Sequence, residues 1–211
     1  MIMMAQMSEE LPLKKLGEYL VCSAGRLQNA VKKQAQIIQL GQSPRRIGEI
    51  LLENGDITDD ELQSAIRKQR VARLKQCPVF NMLTPTELAA IAVRFKEVSV
   101  PAGKQFIIQD DPDPTLYILA IGKVEVYRTN LDGTHVHFAF VEPPEPIGEM
   151  GYFTDGKRTA SVRAVEDTEL LQADYSSLTH YFEYVPRVAL AFTKIVEQRR
   201  QANEEIILSS K

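Results

Sequence analysis

The stretch "IGEMGYFTDGKRTASV", Ile147 to Val162, decides how the rest of the chain is read. It places three glycines, Glu149, Arg158 and Thr159 within sixteen residues. Glycine permits positive φ and close approach of the backbone to a neighbour. Backbone N–H groups at a turn or short helix start favour an anion. Arg158 adds a planar fork that fits two phosphate oxygens, and Thr159 adds a hydroxyl donor. Glu149 stands apart, since a carboxylate repels a phosphate. It suits a sugar hydroxyl, whose proton it can accept. The segment therefore predicts a site that reads an anion at one end and a sugar hydroxyl at the other.

Working outward, "RTASVRAV" alternates like a strand, and the region after Val98 shares that texture. Short β-branched and aromatic runs ("FII", "LYILAI", "KVEVYR", "VHFAFV", "TELLQA") are separated by Gly, Pro and Asp. This spacing predicts a small β-barrel or sandwich. "LDGT", Leu131 to Thr134, is a hairpin turn signal. Upstream, the signals are helical. Thr58 and Glu61 form a capping box ahead of Leu62, Ile66 and Leu74 at near-helical spacing. Thr84, Pro85 and Glu87 open a second helix, and a linker helix is expected near residues 67–80. The last segment is helical again, with Val188, Phe192, Ile195 and Ala202 in one stripe.

The first region repeats itself. "LGEYLV" (Leu16 to Val21) matches "IGEILL" (Ile47 to Leu52), and "LQNAVKKQ" (Leu27 to Gln34) matches "LQSAIRKQ" (Leu62 to Gln69). Two related helical hairpins are expected to pack together, because one alone buries little surface.

Composition bounds the function. Hydrophobic residues are 44% and charged residues 25% of 211, an ordinary globular balance. The net charge of -3 argues against a general nucleic-acid binder. No apolar run reaches the roughly 18 residues of a membrane span. "MIMMAQMSEE" lacks the pattern of a secretion leader, and Cys22 and Cys77 stand far apart, so a cytoplasmic chain with reduced thiols is expected. No nucleophile–base pair, Walker loop or metal-ligand cluster is present, so neither an enzyme nor a metal protein is expected. His135 and His137, Lys32–Lys33 and Arg199–Arg200 read as solvated faces.

"IGEMGYFTDGKRTASVRA" resembles the phosphate-binding cassette of cyclic nucleotide-binding domains, whose pattern is roughly G-E-[LM]-[AG]-hydrophobic, a short turn, then R-[AST]-A. The family includes bacterial catabolite activators, protein kinase A regulatory subunits and cyclic-nucleotide-gated channels. The resemblance extends over about residues 76–200, through "FNMLTPTELAAIAVRFKEVSVPAGKQFIIQDDPDPTLYILAIGKVEVYR". It implies a β-roll (jelly-roll) with flanking helices, and cAMP or cGMP as ligand, with no metal. It implies that Arg158 binds the cyclic phosphate and Glu149 accepts from the ribose 2′-hydroxyl. Backbone N–H groups around Gly148 and Ala160 would complete the cradle beside Met150. Thr159 would touch phosphate or a purine edge, and Phe138 and Ala139 would line the base. The chain departs from the family at Lys157, where proline is frequent, and at Asp110 and Asp111, where glycine is frequent.

"RIGEILLENGDITDDELQSAIRKQ", Arg46 to Gln69, resembles a motif in the N-terminal domain of type II secretion and type IV pilus assembly ATPases. Some members bind cyclic di-GMP through two tandem copies. That resemblance makes Arg46, Gly48 and Gln69 candidates for cyclic di-GMP contact or for docking of a protein partner. The first copy departs from the motif, with Lys15 in place of the arginine.

The expected fold class is therefore α+β. An all-helical module with an internal repeat (1–75) precedes a cyclic nucleotide-binding β-roll with flanking helices (76–200) and a terminal helix end (201–211). The expected function is a non-enzymatic bacterial cAMP or cGMP sensor. With the sequence stopping at Lys211, no helix-turn-helix and no DNA partner are expected. A protein partner is expected through the first module, and the terminal apolar stripe is compatible with a homodimer. The alternatives are a docking adaptor of pilus or secretion machinery with a vestigial cassette, or a cyclic di-GMP receptor.

Overall fold

The structure is a computed structural model that describes residues 15–43, 45–154 and 156–209. The "MIMMAQMSEE" segment and the final two residues, read above for a leader and a tail, lie outside the described residues. The chain divides into two units, Met1–Gln69 and Arg70–Lys211.

In the first unit a 3-10 turn (Leu16–Glu18) leads to α1 (Ala24–Gln39), and α2 (Ile47–Glu53) leads to α3 (Asp59–Gln76). The sequence repeat recurs as a contact repeat. A Cβ on Gly17 would lie 2.9 Å from Leu27, and one on Gly48 would lie 2.5 Å from Leu62. Both glycines thus admit the first leucine of the following helix. Each helix-opening carboxylate also closes its own turn: Glu18 accepts from the Lys15 N–H and Glu49 from the Arg46 N–H. Thr58 and Glu61 form the reciprocal box at the start of α3. Leu20, Ala30, Ile50, Leu51, Ile57, Leu62 and Ala65 form the core of this unit.

In the second unit α4 (Pro85–Ala92) precedes eight strands. These are β1 (Lys96–Val100), β2 (Gln105–Ile107), β3 (Thr115–Ile121), β4 (Val124–Thr129), β5 (His135–Val141), β6 (Pro146–Ile147), β7 (Ser161–Ala164) and β8 (Thr168–Asp174). Two helices close it, α5 (Tyr175–Tyr184) and α6 (Pro186–Ser209). The strands form two antiparallel sheets, ordered β1-β8-β3-β6 and β2-β7-β4-β5. The expected α+β class and β-roll are observed. Strand β3 explains its own unbroken apolar run. Tyr117 and Leu119 face the roll interior with Val124 and Val162, while Leu116 and Ile118 face the helices with Phe80, Phe95 and Phe192. A strand covered on both faces has no solvent side to be polar. Gly133 at φ +85 sits in the β4–β5 turn that "LDGT" predicted.

The linker helix expected near 67–80 is instead the end of α3. Nothing between Asp59 and Gln76 breaks the helix, since glycine and proline are absent until Pro78. Its last turns are pinned to the β1–β8 edge. Arg70 grips Glu97 through two bonds of 2.5 and 2.8 Å, and buried Arg73 reaches Glu169 at 2.5 Å.

The cap of α4 makes one stability prediction. Thr84 accepts from the Glu87 N–H, and the Glu87 carboxylate accepts from the Thr84 N–H at 2.8 Å and pairs with Arg187. Arg187, then the Thr84 cap, hold the Glu87 carboxyl at about 2, below its ordinary 4.5. A depressed carboxylate stabilises the fold above its unfolded pKa and loses that contribution as pH falls through its folded one. Glu87→Gln is therefore expected to lower Tm at pH 7. The gap to wild type should narrow below about pH 4.5 and close near pH 2. A gap constant across that range in paired melting curves would remove Glu87 from the account.

Candidate ligand-binding site

The "GEMG" turn lies between β6 and a 3-10 turn, Glu149–Phe153. Gly148 opens that turn at φ +81, a conformation that glycine adopts without Cβ strain. The turn, β5, β7 and the C-terminal half of α6 enclose a cavity of about 150 Å³. Gly148, Glu149, Met150, Arg158, Thr159, Ala160, Phe138 and Ala139 all line it. Eight positions chosen from sequence are thus brought together around one cavity. Its strand wall is apolar, with Ile107, Val126, Val141, Ile147 and Val162, while Gly151 and the Arg199 side chain also line it. From α6, Ala202 and Asn203 line it, and Ile206 and Ile207 pack on Val136, Phe138 and Ala160 beside it.

Both charged residues have intramolecular partners. The Arg158 side chain is only 2% exposed. Its Nη2 donates to Asp113 at 2.7 Å and to the Thr115 carbonyl at 2.6 Å. Its Nε donates to the same Asp113 oxygen at 3.2 Å. Its Nη1 donates to the Gly148 carbonyl at 2.9 Å and to the Tyr175 hydroxyl at 3.1 Å. A guanidinium has five N–H donors, and here each has an acceptor. Glu149, also buried, pairs with Arg199 of α6 at 3.0 Å. Arg199 also donates to Glu145 at 2.7 Å and to the Pro146 carbonyl at 2.6 Å. Burial alone would lower the Arg199 pKa, but Glu149 and Glu145 outweigh it and raise it. Burial, partly offset by Arg199, lifts the Glu145 carboxyl above its usual range.

Four of these residues escaped the sequence reading. Asp113 was one acid among three in "QDDPDP". Tyr175 opens α5 with no local signal beyond its ring. Asn203 carries none. Arg199 was read as solvated with Arg200, yet the two differ. Arg200 bridges Glu197 and Glu204 on the surface, whereas Arg199 turns inward to the cassette. Asp110, standing where glycine is frequent, takes φ +68 and keeps the left-handed turn; aspartate tolerates this better than most residues.

The first-unit candidates sit elsewhere. Gly48 is buried in packing against Leu62, Gln69 is buried, and Arg46 caps α2. Among the described residues, no cluster of three or more His, Cys, Asp or Glu could hold a metal ion. Among the described residues, no helix is long and apolar enough to cross a membrane.

Comparison with known proteins agrees with the geometry. Residues 97–184 match the family model described as "Cyclic nucleotide-binding domain". That segment, under half of the chain, is similar to cyclic nucleotide-binding domains. The chain is 37% identical over 141 residues to a cyclic AMP receptor protein of Thermus thermophilus, covering 65% of this chain and 64% of that protein. It is 29% identical over 111 residues to a cAMP-dependent protein kinase regulatory subunit of Emericella nidulans, covering 52% of this chain and 26% of that one. The crystal structure of the Thermus thermophilus catabolite activator protein superposes with a TM-score of 0.55 at 36% identity, over 63% of each chain. The chain thus spans under two thirds of the length of these relatives. The matched segment runs from within β1 through the cassette and the remaining strands to the end of α5.

Proposed function

We propose that this chain is a non-enzymatic regulatory protein whose β-roll binds a cyclic mononucleotide in the cavity beneath α6. One observation carries the reading. Glu149 and Arg158, nine positions apart, reach a single cavity whose strand wall suits a flat apolar base. Glu149 would accept from the ribose 2′-hydroxyl and Arg158 would meet the cyclic phosphate. Backbone N–H groups around Gly148 and Ala160 would add donors. Asn203, with a donor and an acceptor on one amide, is the α6 residue placed to meet a purine edge. cAMP is favoured over cGMP because the relatives named above are cAMP receptors and cAMP-dependent subunits.

Binding has a specific cost here. A ribose hydroxyl competes with Arg199 for Glu149, and a phosphate competes with Asp113 for Arg158. Ligand therefore remakes the contact between the cassette and α6, so α6 is the element whose position it biases.

A second reading follows from the same contacts. With Arg158 and Glu149 satisfied internally, the cassette could be a vestigial scaffold in a docking adaptor that uses the first unit. Calorimetric titration of the whole chain with cAMP, cGMP and cyclic di-GMP separates these readings. Micromolar or tighter heat from cAMP or cGMP, lost in Glu149→Ala, is the expected result. Heat from cyclic di-GMP alone, lost in Arg46→Ala, would move the receptor to the first unit. Silence with all three would leave the adaptor.

A further inference from the structure

We propose that Tyr175 is the positioning residue of the anion site, fixing the plane of the Arg158 guanidinium and the carbonyl of Gly148 together. The proposal rests on the cyclic mononucleotide reading above and names a residue that reading does not use.

Tyr175 is buried at the first position of α5, and its own N–H donates to the Pro114 carbonyl at 2.8 Å. Its hydroxyl donates to the Gly148 carbonyl and accepts from Arg158 Nη1 at 3.1 Å. One oxygen therefore ties the two ends of the cassette, ten residues apart, to the start of a helix. Two glycines make room for this meeting. A Cβ on Gly148 would lie 2.2 Å from Arg158 Nη1, and one on Gly151 would lie 2.5 Å from the Tyr175 hydroxyl oxygen. Gly151 has no positive φ to explain it, so the space it leaves for Tyr175 is its reason. The ring is held independently, edge-on to Tyr152 at 5.5 Å. The hydroxyl can therefore be removed with the ring left in place. Burial pushes the Tyr175 phenol up to about 12, so it stays protonated and able to donate across the physiological range.

A guanidinium fixed in plane offers its edge to a phosphate without first losing rotamer freedom. A mobile one loses that freedom on binding. Tyr175→Phe is expected to weaken cyclic mononucleotide affinity about tenfold while leaving the melting temperature of the ligand-free chain within a few degrees. A second readout needs no ligand. The Nε–Hε NMR signal of Arg158, assigned by its disappearance in Arg158→Lys, is expected to be slow to exchange with solvent in the wild type. In Tyr175→Phe it should broaden or exchange at least several-fold faster. An unchanged Arg158 signal together with unchanged affinity overturns the proposal. So does an affinity loss that comes with general melting, which would make Tyr175 a packing residue. A wild-type chain that binds neither cAMP nor cGMP sinks the ligand reading instead. In that case the NMR comparison still tells whether Tyr175 holds Arg158, and an unchanged signal removes the positioning role as well.

Discussion

Arg158→Ala is expected to abolish cyclic mononucleotide binding and also to destabilise the ligand-free protein by about 3–5 kcal/mol, the usual result of breaking a buried ion pair from one side. In the ligand-free fold the arginine joins four separate groups. Its removal leaves the Thr115 and Gly148 carbonyls and the Tyr175 hydroxyl each short of a donor, and leaves Asp113 with an unpaired charge. The Gly148 carbonyl keeps the Tyr175 hydroxyl and the Gly151 N–H as donors, so the full penalty of about 1–3 kcal/mol for a stranded buried acceptor falls on the Thr115 carbonyl. Asp113 is less costly, because its side chain is 29% exposed and can be rehydrated, which favours the lower end of the range. For a chain this long, each kcal/mol moves Tm by roughly 2–4 °C, so a fall on the order of 10 °C is expected. Adding Asp113→Asn to Arg158→Ala should cost less than Asp113→Asn in the wild type, because the second change removes a charge that already lacks its partner. Denaturant melts of the four proteins measure this directly. An Arg158→Ala chain as stable as the wild type would show that the five bonds around the guanidinium contribute nothing to the fold.

The same contacts explain what was and was not legible in the sequence. The cassette was legible because its chemistry is contiguous: glycine, carboxylate, turn and arginine share sixteen residues. The helix starts at Thr58 and Thr84 were legible for the same reason, since a capping box needs only three residues of separation. Strand β1 was partly missed, because "KEVSV" carries two charges and lies on the exposed edge beside β8. The partners of the site were not legible. Asp113 is 45 positions from Arg158, and Arg199 is 50 from Glu149. No local pattern marks either one. Arg199 and Arg200 look alike in sequence, but successive helical residues point about 100° apart. One can close on the cassette while its neighbour pairs with Glu197 and Glu204 in solvent. The apolar spacing from Leu62 to Leu74 was legible, but a separate linker helix near 67–80 was expected because Arg70 and Arg73, which form ion pairs with strand residues, interrupt the apolar face with charges.

Gly148→Ala is expected to cost about 2–5 kcal/mol of stability and at least a hundredfold in cyclic mononucleotide affinity. Two costs combine. An L-residue at φ +81 is strained by about 1–2 kcal/mol. The new methyl would also meet Arg158 Nη1 at 2.2 Å, its Cζ at 3.0 Å and the Thr115 carbonyl at 3.1 Å. None of these can retreat cheaply. Thr115 Oγ is not involved, only strand backbone, and Arg158 is tethered on every nitrogen. Gly133→Ala separates the two costs. Gly133 has a similar φ of +85, but a Cβ there would meet nothing within 4 Å. It should therefore lose about 1–2 kcal/mol and keep its full affinity. The difference between the two variants is then the cost of pushing a methyl into the Arg158 cradle. Equal stabilities, with ligand still bound by Gly148→Ala, would mean that Arg158 can leave its four partners at little cost, and that the cradle does not set the geometry of the site.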